Sequence, residues 1–460
     1  MAVPMLVDLY YVNADWKVFF FCAFVTAYFG GTMIFTTSTK SMDLTPKSGF
    51  LMIFCCWIFL SIFSALPFWL SELDISFCDA FFESVSGLTT TGSTVLVGLD
   101  TMPKGLLIWR AILQWLGGIG IIIMAFSVLP FLKVGGMQLF KTELSESEKV
   151  IPRSADFAKS IGGIYFFLTV TCAFFYHQTG INSFDSIALA MTTLSTGGFA
   201  NTDASFSNYT SYGPLIVASV FMTCSAIPYI LYLKVLHGNT TAIFKDPQAR
   251  LLLKILAVAI TLIALFLVYD KGYDPDWSFV HSMFNTISLM TGTGYSSTNY
   301  GIWGTFPIII LFFLMAMGAS AGSTSCGIKL FRFQVLAAMV FSQIKKLLYP
   351  NGVFIPYYAG KPISDETSAS VMSFVSLYIL CFVLLAIALA FTGLDFITAL
   401  SGAMTAISNV GPGFGDIIGP SGNFKPLSDA SKWILATGML LGRLELFAIL
   451  VLVSPHFWRR

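Results

Sequence analysis

Long apolar runs alternating with short polar links set the pattern of this chain. The first run, Trp16 to Phe35, gives way to a polar link, Thr36 to Ser48, and then to a second run, Gly49 to Leu70. About 20 apolar residues suffice for a helix to cross the roughly 30 Å hydrocarbon core. Ala80 to Thr91 is also apolar but has only about twelve residues, and a helix of that length rises about 18 Å. The pattern therefore predicts a segment that dips into the membrane and returns, which requires surrounding protein or a water-lined cavity. Leu106 to Leu132 then crosses back. The succession of span, short helix and span recurs three times. Its parts are Ile161–Tyr176, Ser183–Thr196 and Pro214–Leu236; then Leu252–Tyr269, Phe279–Thr293 and Phe306–Leu348; then Val371–Phe391, Phe396–Val410 and Trp433–Leu452. Phe306–Leu348 is too long and too interrupted for one helix.

Internal repetition decides the expected fold. It is an all-α membrane protein, with four pseudo-symmetric membrane-pore-membrane repeats around a central pore and an extra N-terminal transmembrane helix. Residues 1–48 hold the extra helix and its link. The repeats occupy 49–150, 151–247, 248–362 and 363–460.

Composition agrees and excludes other classes. With 56% hydrophobic and only 11% charged residues, the chain is not an ordinary soluble globule. A formal net charge of +1 speaks against nucleic acid as a partner. Cys22, Cys55, Cys56, Cys78, Cys172, Cys224, Cys326 and Cys381 lie mostly in apolar runs without metal-ligand spacing, so they read as small buried hydrophobes. His177, His237, His281 and His456 pair with no nucleophile or carboxylate in a catalytic pattern, and no enzyme is expected. The opening MAVPMLVDLYYVNADW carries neither the charged start nor the cleavage site of a signal peptide.

Charge placement orients the spans. Lys133, Lys141, Lys149, Arg153 and Lys159 follow the first repeat, Lys234, Lys245, Arg250 and Lys254 the second, and Lys345, Lys346 and Lys361 the third, with Arg459 and Arg460 at the end. The positive-inside rule puts these on the cytoplasmic side. The opposite links carry Glu72, Asp74, Asp79, Asp100, Asp185, Asp203, Asp270, Asp274, Asp276, Asp395 and Asp416. Such carboxylates either concentrate cations at an outer mouth or simply keep the loops soluble.

Each short helix ends in a related turn: SGLTTTGST from Ser86, TTLSTGGF from Thr192, LMTGTGYSS from Leu289 and AISNVGPG from Ala406. Glycines at 92, 197, 294 and 411 let the backbone turn where a side chain would forbid it. Backbone carbonyl rings replace the hydration shell of potassium, which names the ion this arrangement would take. Thr91, Thr196, Thr293 and Val410 precede the glycines and are stiff at χ1. The expected ion-binding residues are Thr90, Thr91, Gly92, Ser195, Thr196, Gly197, Gly292, Thr293, Gly294, Asn409, Val410 and Gly411. The C-terminal ends of the four short helices, partially negative, would favour a cation between them.

Within Phe306–Leu348 lies MGASAGSTSCGIK, Met317 to Lys329. Its glycines make a poor continuous helix. Gly318, Ala319, Ser320, Ala321, Gly322, Ser323, Thr324, Ser325, Cys326 and Gly327 read either as a flexible intramembrane gate beneath the filter or as a static, closely packed helix face. Arg443 and Glu445 sit inside the last apolar run. Intramembrane charges are costly and usually face an interior or an aqueous cavity, so Arg443 is expected at the pore beside the gate, the alternative being a buried structural arginine. Arg110, with Gln114 and Trp115, is expected to brace the filter. Lys329 and Arg332 read as residues that snorkel to the inner surface.

Taken together, WRAILQWLGGIGIIIMA from Trp109, GGMQLFKTE from Gly135, the four turns, GASAGSTSCGIKLFRF from Gly318 and GRLELF from Gly442 resemble the Trk/Ktr/HKT superfamily of potassium transporters, and among them the bacterial Trk membrane subunit. The resemblance covers most of the chain from Gly49. It implies one pore per subunit, a homodimer, a bacterial inner-membrane location, and a separate cytoplasmic nucleotide-binding regulatory subunit. It also implies K⁺ as the transported ion, bound at the filter residues without any covalent cofactor. Glycine at all four filter positions resembles potassium-selective members, whereas serine at the first accompanies sodium transport in some plant relatives. Trk subunits usually begin with two extra spans and this chain shows one, so Leu6–Trp16 reads as an outer loop following a missing span, the start being either truncated or naturally shorter. Pro412 directly after Gly411 also departs from the simple pattern. Rb⁺ and Na⁺ are the further ions such a path could pass, and the alternative in the same fold is a sodium-permeable or a sodium- or proton-coupled cation symporter. An organic-solute transporter would instead show inverted repeats.

Overall fold

The structure, a computed structural model, describes residues 1–37, 46–127 and 154–458. The GGMQLFKTE stretch and the cations Lys40, Lys133, Lys141, Lys149, Arg153, Arg459 and Arg460 lie outside them, as does the end of the expected Leu106–Leu132 span.

Four pore helices begin where the sequence supplies caps. They are α4 (Phe77–Leu88), α7 (Ser183–Leu194), α12 (Pro275–Thr291) and α16 (Phe396–Ser408). The side chains of Ser76, Asn182 and Asp395 accept the amide hydrogens of Asp79, Asp185 and Thr398, which satisfies a donor otherwise left open in the first turn. Asp274 precedes Pro275, whose missing N–H costs nothing at the first helical position.

Each pore helix is held between the two arms of its repeat. The first arms are α3 (Pro46–Leu70), α6 (Ser154–Gln178), α11 (Pro247–Tyr269) and α15 (Asp365–Phe391). The second arms start with α5 (Lys104–Ser127), α8 (Tyr212–Ser225), α13 (Thr305–Ala316) and α17 (Asp429–Arg443). Every second arm also packs on the next pore helix: α5 on α7, α8 on α12, α13 on α16, and α17 on α4. The last contact closes the ring. Polarity is inverted accordingly, with Ser84, Ser86, Thr89, Thr90 and Thr91 buried and Phe20, Phe21, Phe24, Phe166, Phe167 and Phe174 exposed on outer helices, as expected where lipid is the solvent and polar groups must be satisfied inside.

Among the described residues, only the first of the four second arms is an unbroken helix. The expected Pro214–Leu236 span is two helices, α8 and α9 (Tyr229–Leu236), bent by 87°. Pro228 has no N–H to continue the ladder and disfavours helix for Ile227. The expected Trp433–Leu452 span stops at Arg443 and resumes as α18 (Phe447–Val453), with Glu445 and Leu446 at φ 57 and 50. The third second arm, as its composition predicts, interrupts at 317–329 before α14 (Leu330–Leu348).

Two further expectations change. Leu6–Trp16 is not simply a loop, because Ala2–Tyr10 forms a short helix, α1, ahead of the extra span α2 (Trp16–Thr37). Asp8 on α1 is fully buried and accepts the Gly105 amide at 2.7 Å, so α1 docks onto the first turn of α5. Lys329 and Arg332 do not snorkel. Both are buried, since Glu445 provides Arg332 with a partner at 2.6 Å and the Ser325 carbonyl accepts from Lys329 Nζ.

Candidate ion pathway

After each pore helix the chain turns through an alternation of backbone hands. Thr90, Thr196, Gly292 and Asn409 have φ of 54, 51, 81 and 53. Their amides each reach back three residues, to Gly87, Thr193, Leu289 and Ala406. The next amides of turns one, two and four, on Thr91, Gly197 and Val410, reach back five. Gly92, Gly198 and Gly294 follow with φ of 87, 78 and 82, while Gly411 remains outside the left-handed region.

This geometry shifts the second turn by one residue. Gly198, not Gly197, is the counterpart of Gly92, Gly294 and Gly411, and these four line an outer cavity of about 210 Å³. STGG offers two adjacent glycines, so spacing alone could not choose between them. Backbone contacts make the choice. A Cβ on Gly92 would collide with the Gly197 carbonyl oxygen, one on Gly198 with that of Thr293, and one on Gly294 would lie 2.7 Å from the Gly411 nitrogen. One on Gly411 would sit 3.2 Å from the Gly92 carbonyl carbon, which completes the circuit. The ring is largely backbone against backbone, and at Gly92, Gly198 and Gly294 only glycine fits at this separation.

A buried polar frame supports the turns. On α5, Arg110 pairs with Glu83 at 2.8 Å, donates to the Ala200 carbonyl at 2.8 Å and lies over the Phe199 ring at 4.0 Å. One turn further, Gln114 donates to the Gly197 carbonyl at 2.6 Å and accepts from Phe199 N at 3.0 Å. Sequence reasoning missed Glu83, the acceptor for Arg110, Thr94 Oγ1 and Val95 N. Its signal was a carboxylate inside a short apolar helix, an expensive placement without a partner. Asn285 repeats the device, accepting Ser297 N at 3.2 Å, also twelve positions on. The Asn409 side chain bridges two neighbours, donating to Met439 O on α17 at 2.8 Å and to Thr91 Oγ1 of the first turn at 3.0 Å.

The outer carboxylates have mostly local tasks. Asp79 pairs with Lys432 at 2.6 Å, Asp185 accepts from Asn182 and Asn201, and Asp395 caps α16. Hydrogen bonds from the Thr398 side chain and amide hold the exposed Asp395 below the usual carboxylate range. Asp203 accepts the Gly98 and Leu99 amides and lines the outer cavity.

Residues 317–329 form a buried loop whose base is closed by a parallel bridge between Met317 and Ile328. Gly322 and Gly327 take φ of 75 and 74, and a Cβ on Gly318 would collide with the Cys326 carbonyl. The break in the second repeat holds this loop. Ser320 N and Thr324 N donate to the carbonyls of Ala226 and Ser225, the Gly322 carbonyl accepts from Tyr229 N, and Gln248 Oε1 accepts from Ala321 N. Thus Pro228 frees carbonyls that the loop then satisfies. The loop lies against the turns, for a Cβ on Gly292 would be 3.7 Å from Cys326 N and 3.5 Å from Asn409 O. Arg443, buried, ties it to the first repeat by donating to Thr324 O at 3.4 Å, to Cys326 Sγ and to Gly117 O at 2.8 Å. Gly117 and Gly442 are tight points, since a Cβ there would strike the carbonyls of Leu88 and Ile407 at the ends of two pore helices.

A closed ring of four pore helices, four interlocked glycine turns and an intramembrane loop define a multi-pass membrane protein of the cation-pathway class. Within that class, the chain belongs to the TrkH cation transport protein family, whose model matches residues 16–460. It is 42% identical to the Trk system potassium uptake protein TrkI of Halomonas elongata over 100% of this chain and 94% of that protein. It is 34% identical to the Trk system potassium uptake protein TrkH of Escherichia coli, over 100% of this chain and 96% of that one. The crystal structure of the potassium transporter TrkH from Vibrio parahaemolyticus superposes with a TM-score of 0.92 at 34% identity, covering 100% of this chain and 96% of that one. The protein is accordingly a multi-pass protein of the bacterial inner membrane.

Proposed function

We propose that this protein takes up potassium through the axis of its four-turn ring, with Gly92, Gly198, Gly294 and Gly411 at the outer end of a filter built from Thr90–Gly92, Ser195–Gly198, Gly292–Gly294 and Asn409–Gly411. The carrying observation is the closed circuit of backbone contacts among these turns. Potassium is also the ion in the names of its relatives. The pore repeats occupy 49–150, 151–247, 248–362 and 363–460. The loop Gly318–Gly327 is the gate, and Arg443 is its latch, a fixed positive charge beneath the filter that opposes a cation until the loop moves. A homodimer with a separate cytoplasmic nucleotide-binding subunit is the assembly this reading expects.

Ion flux into proteoliposomes tests the reading, comparing potassium, rubidium and sodium for wild type and Gly92→Ser. Potassium and rubidium should enter well ahead of sodium, and the serine variant should lose that preference. Equal sodium and potassium flux in the wild type would overturn the selectivity and favour the sodium reading.

A further inference from the structure

A ring of carbonyls selects among cations by how many oxygens it offers and how strong their field is. An oxygen that already accepts a hydrogen bond from a fixed donor has less to offer an ion, because one lone pair is engaged. Apart from Ser195 O, which accepts from its own neighbour Thr196 Oγ1 at 2.7 Å, two turn carbonyls are in that state with donors from outside their own turn. Gly197 O receives Gln114 Nε2 at 2.6 Å, and Gly411 O receives Ser93 Oγ at 2.8 Å.

Both donors belong to the first repeat, and they reach the turns on either side of it. Gln114 is fully buried and Ser93 nearly so, at 0% and 1% exposure, with Ser93 at the wall of the outer cavity. The Phe199 amide holds the other end of the Gln114 side chain and fixes which end of it meets Gly197. The arrangement is not returned by the other repeats. At the position of Ser93, following the ring glycine, stand Phe199, Tyr295 and Pro412. Phe and Pro side chains donate nothing, and the Tyr295 hydroxyl turns to Thr192 and Thr193 instead, at 2.5 and 3.2 Å.

We infer that Gln114 and Ser93 are specificity-determining residues that weaken two of the filter carbonyls, those of Gly197 and Gly411, giving a filter of unequal field that favours the larger, more easily dehydrated alkali cations over sodium. The inference rests on the four turns being the ion path. A weaker field recovers less of an ion's hydration energy, and the shortfall is greater for the small, strongly hydrated sodium ion. Removing a donor should strengthen the field, tighten cation binding and erode the preference against sodium.

The test is cation flux into proteoliposomes with purified Ser93→Ala, Ser93→Thr and Gly92→Ser, measuring half-saturating potassium, maximal rate and the potassium-to-sodium ratio. One neutral hydrogen bond corresponds to a change of about two- to tenfold in binding. Ser93→Ala should lower half-saturating potassium by about that factor, leave the maximal rate no higher, and lower the potassium-to-sodium ratio. Ser93→Thr, which keeps the hydroxyl, should retain wild-type values. Unchanged constants in Ser93→Ala beside a disturbed ratio in Gly92→Ser would overturn the inference and leave the ion path standing. Equal disturbance by alanine and threonine would also overturn it, since packing rather than the donor would then be responsible. An undisturbed ratio in Gly92→Ser would remove the ion path and the inference with it.

Discussion

Replacing Gly198 by alanine should destroy cation discrimination while leaving a folded membrane protein. The backbone there has φ of 78, and a left-handed conformation costs a residue with a Cβ about 1–2 kcal/mol. That alone is tolerable in a protein of this size. The larger effect is steric, because the new methyl would collide with the Thr293 carbonyl oxygen and lie 2.9 Å from its carbon, where ordinary contact begins at 3.4 Å. Turn three must therefore move by at least about 0.5 Å, which is the tolerance within which a binding constellation keeps its geometry. No flexible side-chain end is available to absorb the shift, since both partners are backbone. Gly197→Ala differs. Its methyl would meet the terminal amide of Gln114, the end of a side chain rather than backbone, and Gly197 has no positive φ. The assay is potassium and sodium flux in proteoliposomes, with size-exclusion profile and melting temperature as folding controls. The expected order is near-complete loss of the potassium preference in Gly198→Ala and a smaller change in Gly197→Ala. A wild-type ion ratio in a well-folded Gly198→Ala protein, or loss of discrimination confined to Gly197→Ala, would refute both the one-residue shift of the second turn and the backbone-contact reasoning behind it.

Two other perturbations follow from buried charges. Glu445→Gln leaves Arg332 in the membrane interior without its carboxylate and should lower stability by roughly 3–5 kcal/mol, seen as a fall in detergent melting temperature; Glu445→Gln with Arg332→Met should recover much of that loss, and equal melting of single and double variants would argue against a stabilising pair. Burial raises the Asp8 carboxyl from its ordinary 3.8 to about 6, with the negative Asp15 adding to the rise and the Gly105 amide opposing it. Because docked α1 binds that proton more tightly than undocked α1, docking strengthens as pH falls through about 6 toward 3.8. Hydrogen-exchange protection of residues 2–10 should therefore rise between pH 7.5 and 5 in the wild type, and Asp8→Asn should flatten the change; equal pH dependence in both proteins would assign the effect elsewhere.

The apolar pattern by itself determined the class of protein, the four repeats and the locations of the turns. Membrane insertion leaves little freedom: runs of about 20 apolar residues must cross and short ones must return. The motifs also pointed to Arg110, Gln114, Arg443 and the interrupted third arm. Tertiary structure alone decided the rest, because each remaining feature depends on residues far apart in the chain. The choice of Gly198 over Gly197 is made by the Thr293 carbonyl, about a hundred residues away, and by no local signal in STGG. The break at Pro228 stays satisfied only because Ser320 and Thr324 accept the role of donors to its freed carbonyls. Lys329 and Arg332 looked like snorkelling residues on one helix end, yet Glu445 at the next helical break keeps Arg332 inside. A single span carries no information about which partner waits across the pore, so a buried charge, a broken helix or a doubled glycine acquires its meaning only when the ring closes.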